Sequence, residues 1–233
     1  MSASHLRKAR RIVRTHHREL FFEVLESRRV LSASSALSSS GVLEIHGSDE
    51  ANIIQGYVEG TQLCFNLDGN TVCFDNASVR EIRVFGHQGD DRIELRASVL
   101  QPALLDGDED NDRIVGGGGR LYGIGDGGND FIQGGTGNDL LIGGIGTDQL
   151  FGQQGDDTLE GGDGIDLLDG GDGDDRLFGG ADLDVLIGGI GRDYFDGGPA
   201  MDIILAQDGY VDLINPDPLD IVIKDDFDLF GSE

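Results

Sequence analysis

Residues 125–151 read GDGGNDFIQ GGTGNDLLI GGIGTDQLF, three consecutive nine-residue units with one pattern. The same frame continues without insertion through residues 125–205, which nine such units fill completely. In every unit the first residue is glycine, the sixth is aspartate and the eighth is large and apolar. A flexible glycine-rich linker has no reason to place aspartate and an apolar side chain at fixed offsets, so the spacing predicts a repeat architecture.

Two more units precede the nine in the same frame. Residues 107–115 fit the pattern, whereas the following unit has Leu121 at the sixth position and Gly123 at the eighth. An isolated copy of the pattern, residues 86–94, lies outside the frame. The in-frame block therefore spans residues 107–205, with one damaged unit.

The pattern resembles the haemolysin-type, or RTX, calcium-binding repeat, Gly-Gly-x-Gly-x-Asp-x-apolar-x. In a short strand the faces alternate, so the eighth residue of each unit points inward while its neighbours point outward. Two units complete one coil, so residues eighteen apart stack on one another. The resemblance implies an all-β fold, a right-handed parallel β-roll acting as a calcium-binding solenoid, preceded by a short β-rich segment with a hairpin.

The sixth-position aspartates are the candidate metal ligands. Stacked turns bring these like-charged side chains close together, and Ca²⁺ suits such a gap because it accepts six to eight oxygen ligands with flexible geometry. The resemblance implies that several Ca²⁺ ions bind and that carbonyls of the glycine turns complete the ligand sets. The candidate ligands are Asp112, Asp130, Asp139, Asp148, Asp157, Asp166, Asp175, Asp184, Asp193 and Asp202.

Three features qualify this set of sites. Asp182 and Ala200 replace the fourth-position glycine, so the sites beside them are expected to be weaker, and Leu121 leaves Asp139 without an aspartate below it. Other acids of the block are predicted to form a solvated face rather than ligands. Magnesium is less favoured because it requires tight octahedral geometry, and zinc because no His or Cys residues cluster.

Residues 41–106 are predicted to form short strands separated by Gly, Asp, Asn and Ser. The Asp68-Gly69 pair favours a two-residue type I′ hairpin, which sets Cys64 opposite Cys73 at a distance that a disulfide can span. We predict that bridge; the alternative is two reduced thiols beside a turn. The predicted strands are Val42–Ile45, Asn52–Val58, Gln62–Leu67, Thr71–Phe74, Glu81–Phe85 and Arg92–Leu95.

Residues 1–40 are predicted to be a basic, disordered export or targeting segment that ends in a Ser-rich linker. Residues 1–35 contain eight Lys or Arg and three Glu. The other 198 residues contain nine Lys or Arg and 41 Asp or Glu. FEVLESRRVLS, residues 22–32, resembles the LEPR-XLL motif near the start of many large exported bacterial proteins, with Ser27 in place of proline and Val30 in place of leucine. A disordered basic tail is the simpler interpretation. The Ser-rich stretch 32–40 reads as a flexible linker or processing region.

Residues 206–233 are predicted to be an acidic C-terminal cap, because open solenoid ends need capping. A type I secretion signal is the competing interpretation. The predicted organisation is therefore 1–40, 41–106, 107–205 and 206–233.

The composition excludes several classes of function. Forty-four acidic and 17 basic residues give a net charge of -27, so the concentrated positive charge that nucleic-acid binding needs is missing. No run of about eighteen apolar residues is present for a membrane-spanning helix. We find no zinc-protease, nucleophile-elbow or phosphate-loop motif, and no catalytic residue is predicted.

Two functions remain open at this point. The first is a non-enzymatic, exported calcium-binding protein, secreted or at the cell surface, with a structural or adhesive role and cell-surface or matrix components as candidate partners. The second is a small secreted hydrolase or toxin-like effector that uses the roll as a folding and secretion aid.

Overall fold

The chain winds back and forth between two stacked β-sheets. A computed structural model describes residues 34–231, and each sheet contains eleven strands of that part of the chain. In spatial order the first sheet consists of β1 (Ser34–Leu37), β2 (Val42–His46), β6 (Glu81–His87), β8 (Ala103–Glu109), β10 (Leu121–Gly127), β12 (Leu140–Ile145), β14 (Thr158–Asp163), β16 (Arg176–Ala181), β18 (Tyr194–Asp196), β20 (Leu213–Asn215) and β22 (Leu229–Phe230).

The second sheet has a hairpin at one edge, and from β6 onward successive strands of the chain belong alternately to the first and the second sheet. From one edge to the other it consists of β5 (Asn70–Asp75), β4 (Gln62–Leu67), β3 (Ile53–Glu59), β7 (Arg92–Leu95), β9 (Arg113–Val115), β11 (Phe131–Gly135), β13 (Gln149–Gln154), β15 (Leu167–Asp172), β17 (Val185–Ile190), β19 (Ile203–Ala206) and β21 (Ile221–Lys224). In the part of the chain that the structure describes, one 3-10 turn, Asn76–Ser78, interrupts the strands. Within residues 34–231 no helix has the length and hydropathy that crossing a membrane requires.

Neighbouring strands of the repeat pair in parallel with a register of eighteen residues. Leu141 lies beside Leu159, and Leu159 lies beside Leu177 in the next strand of that sheet. Two nonapeptides therefore make one coil, as the sequence predicts. The predicted all-β parallel solenoid is confirmed.

The core of the repeat is a single row of apolar side chains from each sheet. The eighth-position residues have no exposed surface, while the seventh and ninth positions are half-buried or exposed. Burying one such side chain contributes roughly 1.5–3 kcal/mol. The two rows together consist of Ile132, Leu141, Leu150, Leu159, Leu168, Leu177, Leu186, Phe195 and Ile204.

The damaged unit keeps the core filled by exchanging two positions. Leu121 is 1% exposed, although the repeat places aspartate at its position. A methyl group built on Gly123 would lie 3.3 Å from the Leu121 side chain and 3.0 Å from that of Ile132. Leu121 thus occupies the space that the missing eighth-position side chain would fill.

The β-rich segment before the repeat forms part of the same two sheets. β2 pairs in parallel with β6, and β6 pairs in parallel with β8. On the other side β3 pairs in parallel with β7, which continues to β9. The sheets also continue into β20, β21 and β22 beyond residue 205. The domain boundaries remain predictions, since the strands run across the positions after residues 106 and 205 without a break.

The predicted hairpin has the predicted register. Leu67 pairs with Asn70 and Cys64 pairs with Cys73, and Cys64 and Cys73 form a disulfide. Asp68 and Gly69 at the turn have φ values of 48° and 88°, as a type I′ turn requires.

The prediction of a flexible Ser-rich linker needs a correction. Residues 34–37 form a strand that pairs antiparallel with β2, with Leu37 opposite Leu43. The prediction of a flexible linker through residue 40 is therefore wrong for this stretch, because the free edge of β2 supplies partners for its backbone and Leu37 packs against the core. The LEPR-XLL-like segment and the rest of residues 1–33 lie outside the described residues.

Candidate metal sites along the aspartate columns

The ten predicted aspartates form two columns, one along each edge of the stacked coils. Every one of them is at most 4% exposed. We call Asp112, Asp130, Asp148, Asp166, Asp184 and Asp202 the first column and Asp139, Asp157, Asp175 and Asp193 the second column. Successive members of each column are eighteen residues apart and lie one coil apart.

One carboxylate oxygen of each aspartate ties two coils together. The backbone N–H of Asp112 donates to Oδ1 of Asp130 at 2.7 Å, and that of Asp130 donates to Oδ1 of Asp148 at 2.8 Å. The second column repeats the contact from Asp139 to Asp157 at 2.7 Å. The series of hydrogen bonds along the second column begins at Leu121, whose N–H donates to Oδ1 of Asp139. Leucine can take part because the bond needs only a backbone N–H from the preceding coil.

The other carboxylate oxygen has no partner. Oδ2 of all ten aspartates is buried and makes no hydrogen bond within the described residues. An ionised oxygen in this state carries a large desolvation cost, which a cation or a proton must offset. This repeated unpaired oxygen is the main chemical feature of the edges.

The first-position glycine provides the space for that oxygen. A methyl group built on Gly125 would lie 2.2 Å from Oδ2 of Asp130 and 2.6 Å from the carbonyl oxygen of Gly143 in the next coil. The same pairing recurs at Gly143, with Oδ2 of Asp148 at 2.4 Å and the Gly161 carbonyl at 2.6 Å. A carboxylate oxygen and a carbonyl oxygen therefore converge beside both glycines, and they do so again beside Gly134, Gly152, Gly161, Gly170 and Gly179.

Burial raises the pKa of these carboxyls above the ordinary value of 3.8. Desolvation is the largest cause throughout, and it raises the pKa of Asp112 to about 8 although the backbone N–H of Asp91 opposes the shift. The pKa is about 7 for Asp157, Asp184 and Asp193 and about 6 for Asp130, Asp139, Asp148, Asp166 and Asp175, and it is also raised for Asp202. Burial thus favours a protonated carboxyl unless a cation is bound.

The donor set fits a hard cation with an adaptable shell. Within residues 34–231 no three His, Cys, Asp or Glu side chains converge on one point, so a cation here must take much of its shell from backbone carbonyls. Ca²⁺ accepts carboxylate and carbonyl oxygens together, whereas structural zinc sites need several N or S ligands. The residues present fit calcium.

A family model agrees with this assignment. The model of the RTX calcium-binding nonapeptide repeat (4 copies) matches residues 104–120, 124–159, 151–186, 160–195 and 169–204. These segments are RTX repeats. RTX repeats bind several Ca²⁺ ions in a β-roll, which is a structural calcium-binding fold. No curated protein and no solved structure matches the chain.

The acids outside the columns behave as the sequence predicts. Asp126, Asp156, Asp163, Asp172 and Asp174 are all exposed. Asp174 pairs with the guanidinium of Arg192, which lowers the pKa of that carboxyl. These residues form the predicted solvated face of the RTX roll.

Two positions that lack the fourth-position glycine keep the glycine-like backbone. Asp182 has a φ of 73° and Ala200 a φ of 122°, both in the region that L-residues seldom adopt. The turns therefore keep their course, and the weaker binding expected beside them remains a prediction.

Two aspartates that the repeat frame misses share the properties of the columns. Asp91 and Asp212 are 2% and 1% exposed, and Oδ2 of each is buried without a partner. The isolated copy of the pattern, residues 86–94, contains Asp91 and could have identified it as a candidate ligand. No sequence signal identified Asp212, because it follows Asp193 by nineteen residues and so falls out of the frame.

Proposed function

We propose that this chain is an exported calcium-binding module with a structural or adhesive role, in which the aspartates of the two columns hold the ions. The observation that carries the proposal is the unpaired, buried Oδ2 that recurs in all ten aspartates. A single such oxygen is a local oddity, but ten at one repeated position indicate a ligand site that each coil reproduces.

Within a site, the chain's own groups have separate tasks. Oδ1 holds the preceding coil through its backbone N–H, as Asp148 does for Asp130. Oδ2 remains available to the ion, together with the carbonyl oxygens that face the same glycine, such as that of Gly161 beside Gly143. Bound Ca²⁺ supplies positive charge that neutralises the stacked carboxylates.

The balance of charge and core predicts that calcium drives folding. Residues 125–205 carry eighteen acidic and two basic side chains. Each strand of this block buries a single large apolar residue, so self-repulsion opposes a thin core. Binding free energy then contributes directly to folding free energy, as in other domains that assemble around a metal.

Two observations support a location outside the cell. Cys64 and Cys73 form a disulfide, and disulfides persist chiefly in oxidising compartments. Extracellular calcium modules have dissociation constants of about 0.1–1 mM. The much lower calcium concentration of the cytosol would leave such sites empty. The continuous β-stack from β2 to β22 favours the structural role over the alternative of a small secreted hydrolase, since it leaves no separate folded body for an active site within residues 34–231.

The test is a calcium titration followed by calorimetry and circular dichroism. At about pH 8 we expect little β structure in chelator and a cooperative gain at about millimolar calcium. Asp148→Asn should weaken binding, whereas Asp163→Asn, an exposed acid with the same charge change, should bind like the parent chain. Identical spectra with and without calcium, or equal effects of the two variants, would contradict the proposal.

A further inference from the structure

The candidate sites extend past the segments that carry the repeat pattern. Asp91 lies before the first matched segment and Asp212 after the last one, which ends at residue 204. Both side chains are almost completely buried, and in both Oδ2 lacks any hydrogen-bond partner. No apolar packing explains a buried, unpaired carboxylate oxygen at these two places.

Asp91 reproduces the local geometry of the repeat. The N–H of Asn52 donates to its Oδ1 at 2.6 Å, and the N–H of Asp91 donates to Oδ1 of Asp112 at 2.7 Å. A methyl group built on Gly86 would lie 2.2 Å from Oδ2 of Asp91 and 2.7 Å from the carbonyl oxygen of Gly107. These distances agree within 0.1 Å with those around Gly125 in the repeat, where they are 2.2 Å and 2.6 Å.

Asp212 extends the second column at the opposite end. Its Oδ1 accepts the N–H of Asp193 at 2.8 Å, and its own N–H donates to Oδ1 of Asp228 at 3.1 Å. Gln207 stands where the repeat has its first glycine, so sequence pattern alone gives no reason to include this coil. The unpaired Oδ2 is nevertheless present.

The next residues beyond each end are chemically different. Asn52 is a neutral amide whose Oδ1 accepts the N–H of Ser48 at 2.6 Å and whose Nδ2 donates to Asp68 at 3.2 Å. Asp220 and Asp228 each use the second oxygen to accept a backbone N–H three residues earlier, at 2.8 Å and 3.0 Å. None of the three leaves an oxygen for an ion, so the columns have definite ends.

We infer that the calcium stack reaches Asp91 before the repeat and Asp212 after it, and stops there. The inference rests on the proposed function, because it assigns the same ligand chemistry to two more coils. Its consequence is mechanical. Asp91 directly precedes β7, β7 pairs with β3, and β3 pairs with β4 of the disulfide hairpin. An ion at Asp91 therefore fastens the disulfide-bonded end to the repeat.

Counting bound ions by native mass spectrometry in saturating calcium tests the inference. We expect Asp91→Asn and Asp212→Asn each to lose at least one ion relative to the parent chain. Asp148→Asn should also lose ions, since it belongs to a matched repeat. Asp220→Asn is the matched control, because it makes the same change at the next position after the first column and should lose none.

The outcomes separate the inference from the function on which it rests. If Asp148→Asn loses ions while Asp91→Asn and Asp212→Asn keep the full number, the extension is wrong and the function stands. If the parent chain binds no calcium, the function itself fails. Loss of an ion in Asp220→Asn would also overturn the definite end of the column.

A second measurement on the unaltered chain covers variants that fail to fold. Crystals grown with calcium should show anomalous scattering peaks beside Oδ2 of Asp91 and of Asp212, and none beside Asp220 or Asp228. Peaks confined to residues 104–204 would overturn the inference.

Discussion

Residues 41–106 and residues 107–205 share two sheets but are stabilised by different means. Before the repeat, β2, β6 and β7 each bury two large apolar residues, such as Leu43 and Ile45 in β2, and the disulfide closes the hairpin at the end of the second sheet. Strands of the repeat bury one, and the second inward position is the glycine beside the aspartate oxygen. The first region relies on apolar burial and a covalent link. The second has a thinner apolar core and buried carboxylates whose charge a cation or a proton must offset.

The difference shows what a glycine at the inward position changes. In β2 an isoleucine at that position adds core, whereas in β12 Gly143 leaves room for Oδ2 of Asp148. The repeat thus replaces apolar surface by a buried, unpaired carboxylate oxygen in each coil. We therefore expect the calcium concentration and the pH to change the stability of the repeat, and removal of the disulfide to change the stability of the hairpin.

The largest expected effect is a pH dependence of the metal-free repeat. Burial raises the pKa of the column carboxyls from the ordinary 3.8 to values from about 6 at Asp148 to about 8 at Asp112. A raised pKa means that the folded state holds protons more tightly than the unfolded chain, so this stabilisation is full at low pH and is lost as pH rises through about 6–8.

We therefore expect the chain in chelator to show β structure near about pH 5 and to lose it by about pH 8, as followed by circular dichroism. The same titration with saturating calcium is the control and should keep β structure at the higher pH. A metal-free protein that gains structure as pH rises would have the opposite sign and would break the comparison.

Next in size is the close approach between coils in the repeat. Gly164 has a φ of 134°, and a methyl group there would lie 1.8 Å from the carbonyl oxygen of Gly146. Gly164→Ala should cost about 3 kcal/mol or more, because backbone must move. The control is Gly60→Ala in the hairpin region, where φ is 61° and no atom lies within 4 Å, so the cost should be about 1–2 kcal/mol. Urea unfolding in saturating calcium measures both, and equal costs would show that contact between coils is unimportant.

Removing the disulfide should act on the other region. A link between residues nine apart stabilises a folded chain by about 2–3 kcal/mol through the entropy of the unfolded state. The double variant Cys64→Ala, Cys73→Ala should speed amide hydrogen exchange in β4 and β5 and leave exchange in β13 and β15 unchanged. Faster exchange throughout the repeat would mean that the two regions are one cooperative unit.

The smallest expected effect is a gain. Ala200 holds a φ of 122° at a fourth position where most units have glycine. Ala200→Gly should stabilise the calcium-loaded chain by about 1 kcal/mol, since it relieves a backbone conformation that favours glycine. Thermal unfolding measures the shift, and Ala181→Gly in the same sheet region, where φ is not positive, should not raise the midpoint.

The sequence alone determined the register, the inward row and the hairpin pairing. These features depend on short-range chemistry: a nine-residue period puts Leu141 and Leu159 one coil apart, and Asp-Gly selects the turn that sets Cys64 opposite Cys73. The identity of the column aspartates followed from the same period. The exchange at Leu121 and Gly123 was visible as a break in that period, but its compensation was visible only in the packing.

Only the tertiary structure decided where the columns end. Asp91 precedes Asp112 by 21 residues and Asp212 follows Asp193 by nineteen, so loop insertions shift the sequence frame without moving the strands. The pairing of residues 34–37 with β2 likewise depends on a free sheet edge that no local pattern encodes. Which carboxylate oxygen remains unpaired is a property of neighbouring coils, and a sequence read one residue at a time does not contain it.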